Sequence, residues 1–335
     1  MTSPSAVEAN WPGVRLHVVT GKGGTGKSTV AAALALGLAS RGQDVLLCEV
    51  EARQGIAQLF DVPPLPYEER RIVQGPQGSG DVYALAIDLE SALLEYLAMY
   101  YRLGRAGKAL DKFGVIDFAT TIAPGVRDVL LTGKVYEAVN RNRRHKGARE
   151  YGAVVLDAPP TGRISQFLNV NNELAGLAKV GPIRHQADAV MGLLRSALSR
   201  VHLVTVLEDM PVQETIDGIA ELRGLQLPIG GVVTNLTHPV ELDGEERDLV
   251  LGRGLDADVL RADLQTAGVR PTQPLVAGLL EEAREHAERR QLEDEQHKRI
   301  SDLDVPTYEL PRLAGGVDVG GLYELAADLR RQGMA

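Results

Sequence analysis

Apolar residues along this chain gather into short unbroken runs rather than alternating with polar ones, and longer stretches with helical spacing separate the runs. VRLHVV (Val14–Val19), DVLLCEV (Asp44–Val50), VYALAI from Val82, AVVLD ending at Asp157, HLVTVL from His202, IGGVVT from Ile229 and VPTYEL from Val305 read as strands. Successive side chains of a strand point to opposite faces of its sheet, so an unbroken apolar run predicts burial on both faces. Between the first two runs, KSTVAAALALGLAS (Lys27–Ser40) is rich in strong helix formers, lacks proline and stops before Gly42, a residue suited to the positive φ that follows a helix. Strand, helix, strand is a βαβ unit with a right-handed crossover. The expected fold class is therefore α/β, a mostly parallel sheet flanked by helices on both faces.

The alternation breaks in one place. From Asp88 to His145 no strand signal appears, and Leu93, Leu94, Leu97, Met99, Tyr100 and Tyr101 cover more than one face of a helix. A helical insertion is expected there, its surplus apolar surface serving as core or as a partner groove. Asn171–Ser199 reads as a second helical stretch, Val276–Arg299 as a peripheral helix, and Leu322, Leu325 and Leu329 as the packing face of a C-terminal helix. The predicted organisation is one domain over 1–335. Residues 1–12 form a loose tail; 13–87, 150–240 and 300–335 form a core; 88–149 and 170–200 form a helical subdomain.

Composition narrows the function. Among 335 residues Cys48 is the sole cysteine, which excludes an intrachain disulfide and a single-chain cysteine cluster for zinc or iron-sulfur. No apolar run reaches the roughly 18 residues of a membrane helix, and the first residues lack a basic segment followed by an apolar one. A cytoplasmic protein without an integral membrane segment is expected. The formal net charge of −9 argues against non-specific binding to nucleic acid. The basic run RNRRHKGAR, Arg141–Arg149, reads as the solvated end of a helix and a loop.

The first strand leads into GKGGTGKST, Gly21–Thr29. This is the Gly-x-x-x-x-Gly-Lys-Ser pattern of a P-loop, placed between a strand and a helix as its chemistry requires. Gly21, Gly23, Gly24 and Gly26 let backbone N–H groups around Thr25 turn toward phosphate oxygens, and the helix presents its positive end, with Ser28 and Thr29, to the same anion. Lys27 supplies a charge to the terminal phosphates and Ser28 a hydroxyl to Mg²⁺. A strand-end carboxylate is also needed, and AVVLDAPPTGR provides Asp157. ATP and Mg²⁺ are the expected cofactors.

Lys22-Gly-Gly-Thr-Gly-Lys27-Ser28, DAPPTGRISQFL (Asp157–Leu168) and LEDMPVQET (Leu207–Thr215) together resemble the ArsA family of ATPases, which includes the arsenite-pump ATPase and the ATPase that delivers tail-anchored membrane proteins. The resemblance runs from Val14 to about Leu329. It implies a dimer, of identical or of related subunits, that closes around ATP, with Lys22 reaching the opposing nucleotide and Asn235 and Pro311 placed against the adenine. The implied function couples ATP binding and hydrolysis to opening and closing of the dimer and helical subdomain, for protein or membrane-protein cargo. In the family's first switch an aspartate orients the attacking water; Glu51 takes that position here, Glu49 is a second candidate, and hydrolysis is expected to be slow because a misplacement of about 1 Å can cost on the order of a hundredfold in rate. Arg163 replaces the histidine of the second switch. Cys48 is read as a buried apolar side chain, so neither a zinc clamp nor thiolate binding of arsenite is expected. Two other readings stay open: a nucleotide-sensing scaffold with negligible hydrolysis, and a partition or division-site positioning ATPase.

Overall fold

The second apolar run shows why a parallel sheet forms. Leu46 and Leu47 point to opposite faces of one strand and both are fully buried, each contributing about 1.5–3 kcal/mol of hydrophobic stabilisation. Helices must therefore cover both sides. The computed structural model describes residues 10–50, 54–101, 124–141, 149–169, 181–239, 241–242, 244–252 and 254–335.

Among the described residues eight strands form one sheet: β1 (Leu16–Gly21), β2 (Val45–Val50), β3 (Arg70–Val73), β4 (Val82–Ile87), β5 (Ala153–Asp157), β6 (Ser199–Thr205), β7 (Ile229–Thr237) and β8 (Thr307–Pro311). Their spatial order is β3-β4-β2-β5-β1-β6-β7-β8. Every neighbouring pair is parallel except β3 with β4. This is the sheet expected of a P-loop nucleotide hydrolase, with β1 at its centre.

The described helices are α1 (Lys27–Ala39), α2 (Gly55–Leu59), α3 (Leu89–Tyr101), α4 (Pro124–Asn140), α5 (Thr161–Leu168), α6 (Pro182–Leu194), α7 (Asp209–Gly224), α8 (Gly244–Leu251), α9 (Ala257–Thr266), α10 (Gln273–Ser301) and α11 (Val319–Arg331). On one face α1 and α11 pack over Val19, Leu47 and Val155. Small alanines let α1 lie close to the sheet below and to α11 above, so it is buried almost all round. On the other face α4, α5, α6 and α7 cover Val18, Leu46 and Leu156. The C-terminal helix buries Leu322, Leu325 and Leu329, as its spacing predicts.

Several boundaries differ from the sequence reading. The strand β3 begins RRIV, with two arginines, and its half-exposed pattern at the sheet edge gave no apolar run to find. The first strand starts at Leu16 rather than Val14, β6 starts at Ser199 rather than His202, and β7 continues to Thr237. Within 88–149 the described parts are α3 and α4, which pack through Leu93 and Leu130, while Met99 is exposed; residues 102–123 and the side chains of Tyr100 and Tyr101 lie outside the described residues. Residues 170–180 and most of the basic run, 142–148, lie outside them too. Arg141 corrects the reading of that run: it is buried, pairing with Glu137 at 2.6 Å and with Glu69 at 2.7 Å. Cys48 is fully buried in β2, and burial pushes its thiol well above the ordinary range. No described helix is long and apolar enough to cross a membrane.

Candidate nucleotide site

The turn between β1 and α1 is built around two close approaches. A Cβ on Gly21 would stand 2.1 Å from the Val204 carbonyl oxygen of β6, which no side chain permits. Gly26 combines a φ of 86° with a Cβ position 2.3 Å from the Asn235 amide nitrogen. Positive φ strains any residue with a Cβ, and the asparagine leaves no room for one. Gly23 and Gly24 differ from these two. Among the described residues a Cβ on either would meet nothing within 4 Å, so no described neighbour demands glycine there, and the φ of 89° at Gly24 alone favours it. Within the turn, the Lys22 carbonyl accepts from the Thr25 hydroxyl at 2.9 Å and from the Lys27 ammonium at 3.3 Å. Asn235 donates Nδ2 to the Thr25 carbonyl at 2.9 Å. A register shift in β7 between Thr234 and Thr237, with Leu236 at a φ of 60°, lets the strand aim that amide at the turn. Asn235 thus props the loop from beneath.

Ser28, in the first turn of α1, donates Oγ to Asp157 Oδ2 at 2.6 Å. Asp157 ends β5 in register with Glu49 of β2. In-register residues of parallel strands share a face, so both carboxylates lie at the strands' C-terminal edge, on the α1 side. Glu49 accepts from the Gly55 N–H at 2.9 Å and the Ile56 N–H at 3.4 Å, which anchors the start of α2. It is also adjacent to the loop: a Cβ on Gly55 would lie 3.7 Å from both Glu49 Oε1 and Ser28 Oγ. The Ser28 hydroxyl and the buried Asp157 carboxylate make an all-oxygen donor pair, which suits Mg²⁺ rather than a softer metal.

Beside the turn, the Lys22 ammonium pairs with Glu214 Oε1 of α7 at 2.9 Å. The other oxygen of Glu214 accepts from the Thr161 hydroxyl at 3.3 Å. Thr161 opens α5, four residues after Asp157. Sequence reasoning noticed the LEDMPVQET segment but not Glu214 itself, because its partners lie far away in the chain. Pro311 ends β8 opposite Thr237. Between the ends of β6, β7 and β8 and the flank of α10 opens a cleft of about 800 Å³ lined by Leu207, Leu236, Leu292, Arg312 and Leu313. Glu51, with Ala52 and Arg53, lies outside the described residues; Arg163 is exposed on α5.

Strand, glycine turn and helix, with lysine, serine and strand-end aspartate converging, is the arrangement by which a protein holds a nucleoside triphosphate. The family model for anion-transporting ATPases matches residues 14–202. Over 99% of this chain and 98% of the relative, 52% of residues are identical to the ATPase BagA of Mycobacterium tuberculosis. The ATPase GET3 of Rhodotorula glutinis is 25% identical over 52% of this chain and 48% of its own. The chain belongs to the anion-transporting ATPase (ArsA) family of ATP hydrolases.

Proposed function

We propose that this protein is a Mg²⁺-dependent ATPase that works as a pair of subunits, using ATP binding and hydrolysis to open and close the pair and its helical subdomain in handling a protein or membrane-partner cargo. The observation that carries the reading is the meeting of Ser28, Asp157 and Glu49 at one sheet edge, with Ser28 2.6 Å from Asp157 and the Lys27 ammonium turned onto the Lys22 carbonyl of the adjoining loop. In this reading the loop amides from Gly23 to Thr29 and the Lys27 ammonium hold the phosphates. Asn235, Pro311 and the cleft beside them receive the adenine. Ser28 and Asp157 would hold Mg²⁺, which when bound neutralises charge on the terminal phosphates. Lys22 serves the nucleotide of the opposing subunit, a cation in trans that stabilises phosphoryl oxygens only when two subunits close.

Glu49 has both oxygens engaged at the start of α2. We therefore assign Glu49 to anchoring that segment and Glu51 to orienting the attacking water. From the anchor a line of contacts leads to the helical subdomain of 88–149 and 170–200. Gln54 exchanges two hydrogen bonds with Leu65, at 3.1 and 2.7 Å. The Tyr67 hydroxyl donates to Glu95 of α3 at 2.6 Å, and Lys134 of α4 meets the same carboxylate at 2.8 Å. Glu69 receives Arg141, the residue after α4, and the Tyr151 hydroxyl, the latter at 2.6 Å. Movement at the phosphate edge has a hydrogen-bonded route to α3 and α4, and this supports coupling between nucleotide and helical subdomain.

ATP turnover per chain, measured against protein concentration, tests the reading. Turnover should fall steeply on dilution, and Lys22→Ala should lose it while still binding ATP. Wild-type turnover independent of concentration would refute the paired mechanism. The replacements at Glu51 and Arg163 favour one further reading, a nucleotide sensor with negligible hydrolysis; single-turnover measurements at saturating Mg-ATP separate the two.

A further inference from the structure

The Lys22–Glu214 pair joins the residue that distinguishes this loop to a carboxylate that no nucleotide-binding motif requires. An ammonium held 2.9 Å from one carboxylate of its own chain is not available to a phosphate elsewhere. Glu214 is fixed where it stands. Its neighbours Val212 and Thr215 on the same helix are fully buried, so packing holds this part of α7 in place. The pair is nonetheless weak enough to exchange, since its side chains are 30% and 36% exposed and water screens them. The second oxygen of Glu214 is held by Thr161, on the segment that follows Asp157.

We propose that Glu214 is a positioning residue for Lys22. It retains the lysine in cis until a second copy of this chain presents a triphosphate, whose greater charge takes the ammonium over. Thr161, bonded to the same carboxylate, places that exchange in contact with the segment after Asp157. The inference rests on the trans role of Lys22 given above. Releasing an exposed pair of this kind costs about two- to fivefold in an equilibrium constant. Two lysines are released per assembly, so the contact opposes pairing by about four- to twenty-five-fold.

Sedimentation velocity of the full chain with Mg²⁺ and a non-hydrolysable ATP analogue, over a protein concentration series, tests this. Glu214→Gln keeps an acceptor for Thr161 and removes the charge. It should lower the midpoint of assembly about four- to twenty-five-fold, a gain that mere structural damage does not produce. Glu214→Ala should shift in the same direction, and circular dichroism checks that both are folded. Combined with Lys22→Ala, the Glu214→Gln change should give no gain, because nothing remains to release. If Lys22→Ala is impaired but both Glu214 variants assemble at the wild-type midpoint or above it, the role given to Glu214 is wrong and the paired reading stands. If the wild type fails to assemble, or Lys22→Ala assembles as well as wild type, the paired reading itself falls.

Discussion

Gly26 and Asn235 are 209 positions apart in the chain yet share one small volume, which makes a quantitative prediction possible. A methyl group in Gly26→Ala faces two costs. The backbone keeps a φ of 86°, worth about 1–2 kcal/mol for a residue with a Cβ, and the methyl stands 2.3 Å from the Asn235 amide nitrogen. The amide must give way and leave the Thr25 carbonyl, which it now meets at 2.9 Å. Losing a buried hydrogen bond and stranding its acceptor costs about 1–3 kcal/mol. The glycine variant should lose about 2–5 kcal/mol altogether. Asn235→Ala loses only the hydrogen bond, about 1–3 kcal/mol. In the double variant the clash has no target and the bond is lost once, so the cost should equal that of Gly26→Ala alone rather than the sum. The predicted coupling is therefore about 1–3 kcal/mol, equal to the hydrogen-bond term. Urea unfolding of the four proteins measures it, and binding of a fluorescent ATP analogue shows whether the same energy supports nucleotide affinity. Additivity within about 0.5 kcal/mol would show that the asparagine does not support the loop.

Arg141→Leu should destabilise by about 2–4 kcal/mol in urea unfolding, since it strands Glu69 and Glu137 beside a buried position, though Glu137 is partly exposed and recovers some solvation. His17 and His202 stack fully buried, with ring nitrogens 3.0 Å apart. Burial, with the charge of Arg200 adding to it, lowers His17 from 6.5 to about 4 and holds His202 well below its ordinary value. The unfolded chain therefore binds more protons across that window, so stability is complete above about pH 6.5 and falls as pH drops toward 4, with about 2 kcal/mol lost to His17 alone at pH 5. The slope of the urea midpoint between pH 7 and 5 should be shallower in His17→Leu/His202→Leu, and equal slopes would remove the pair from the account. Gln54→Ala interrupts the contacts from α2 toward α3 and α4; the change in amide exchange of α3 and α4 on adding Mg-ADP should shrink, with nucleotide affinity altered less than about threefold, and an undiminished response would refute the route. Cys48 should resist a thiol reagent in the native protein and react on unfolding, as its burial and raised pKa require.

Much of the fold was legible because two-sided burial leaves a local mark. Runs such as VLLCEV and AVVLD are apolar at nearly every position, and all of their residues are buried. The loop residues from Gly21 to Ser28 were legible for a similar reason, since their chemistry is contiguous in sequence. The edge strand β3 was not, because an edge strand with one open face carries charge and needs no apolar run. The sequence-level account of the glycines, inward-facing amides, treated all four alike and missed what crowds two of them: Val204 of β6 against Gly21 and Asn235 of β7 against Gly26, while no described residue crowds Gly23 or Gly24. Those neighbours arrive from strands more than 180 residues further on, and only the sheet order puts them there. Glu214 escaped notice on the same ground. Its place on α7 follows from the helix, but its pairing with Lys22 follows from β6 lying beside β1.

The contacts of this protein divide by how readily they can be exchanged. Those that hold the frame are buried: α1 enclosed between sheet and α11, the stacked histidines, Arg141 between two glutamates. Removing one side strands a group away from water, which is costly. Those at the phosphate edge are of another kind. Ser28 with Asp157, Lys22 with Glu214 and Lys27 with the Lys22 carbonyl each join a group that a phosphate or a hard cation would also satisfy. Exchanging such a contact for a ligand costs little, because each group trades one charged or polar partner for another. A nucleotide can therefore rearrange the edge without loosening the frame, as the proposed coupling requires. Glu49 grips α2, and the chain beyond α2 carries Tyr67 and Glu69 to contacts at α3 and at the end of α4, so in the function proposed above these two helices are where a nucleotide's effect would arrive.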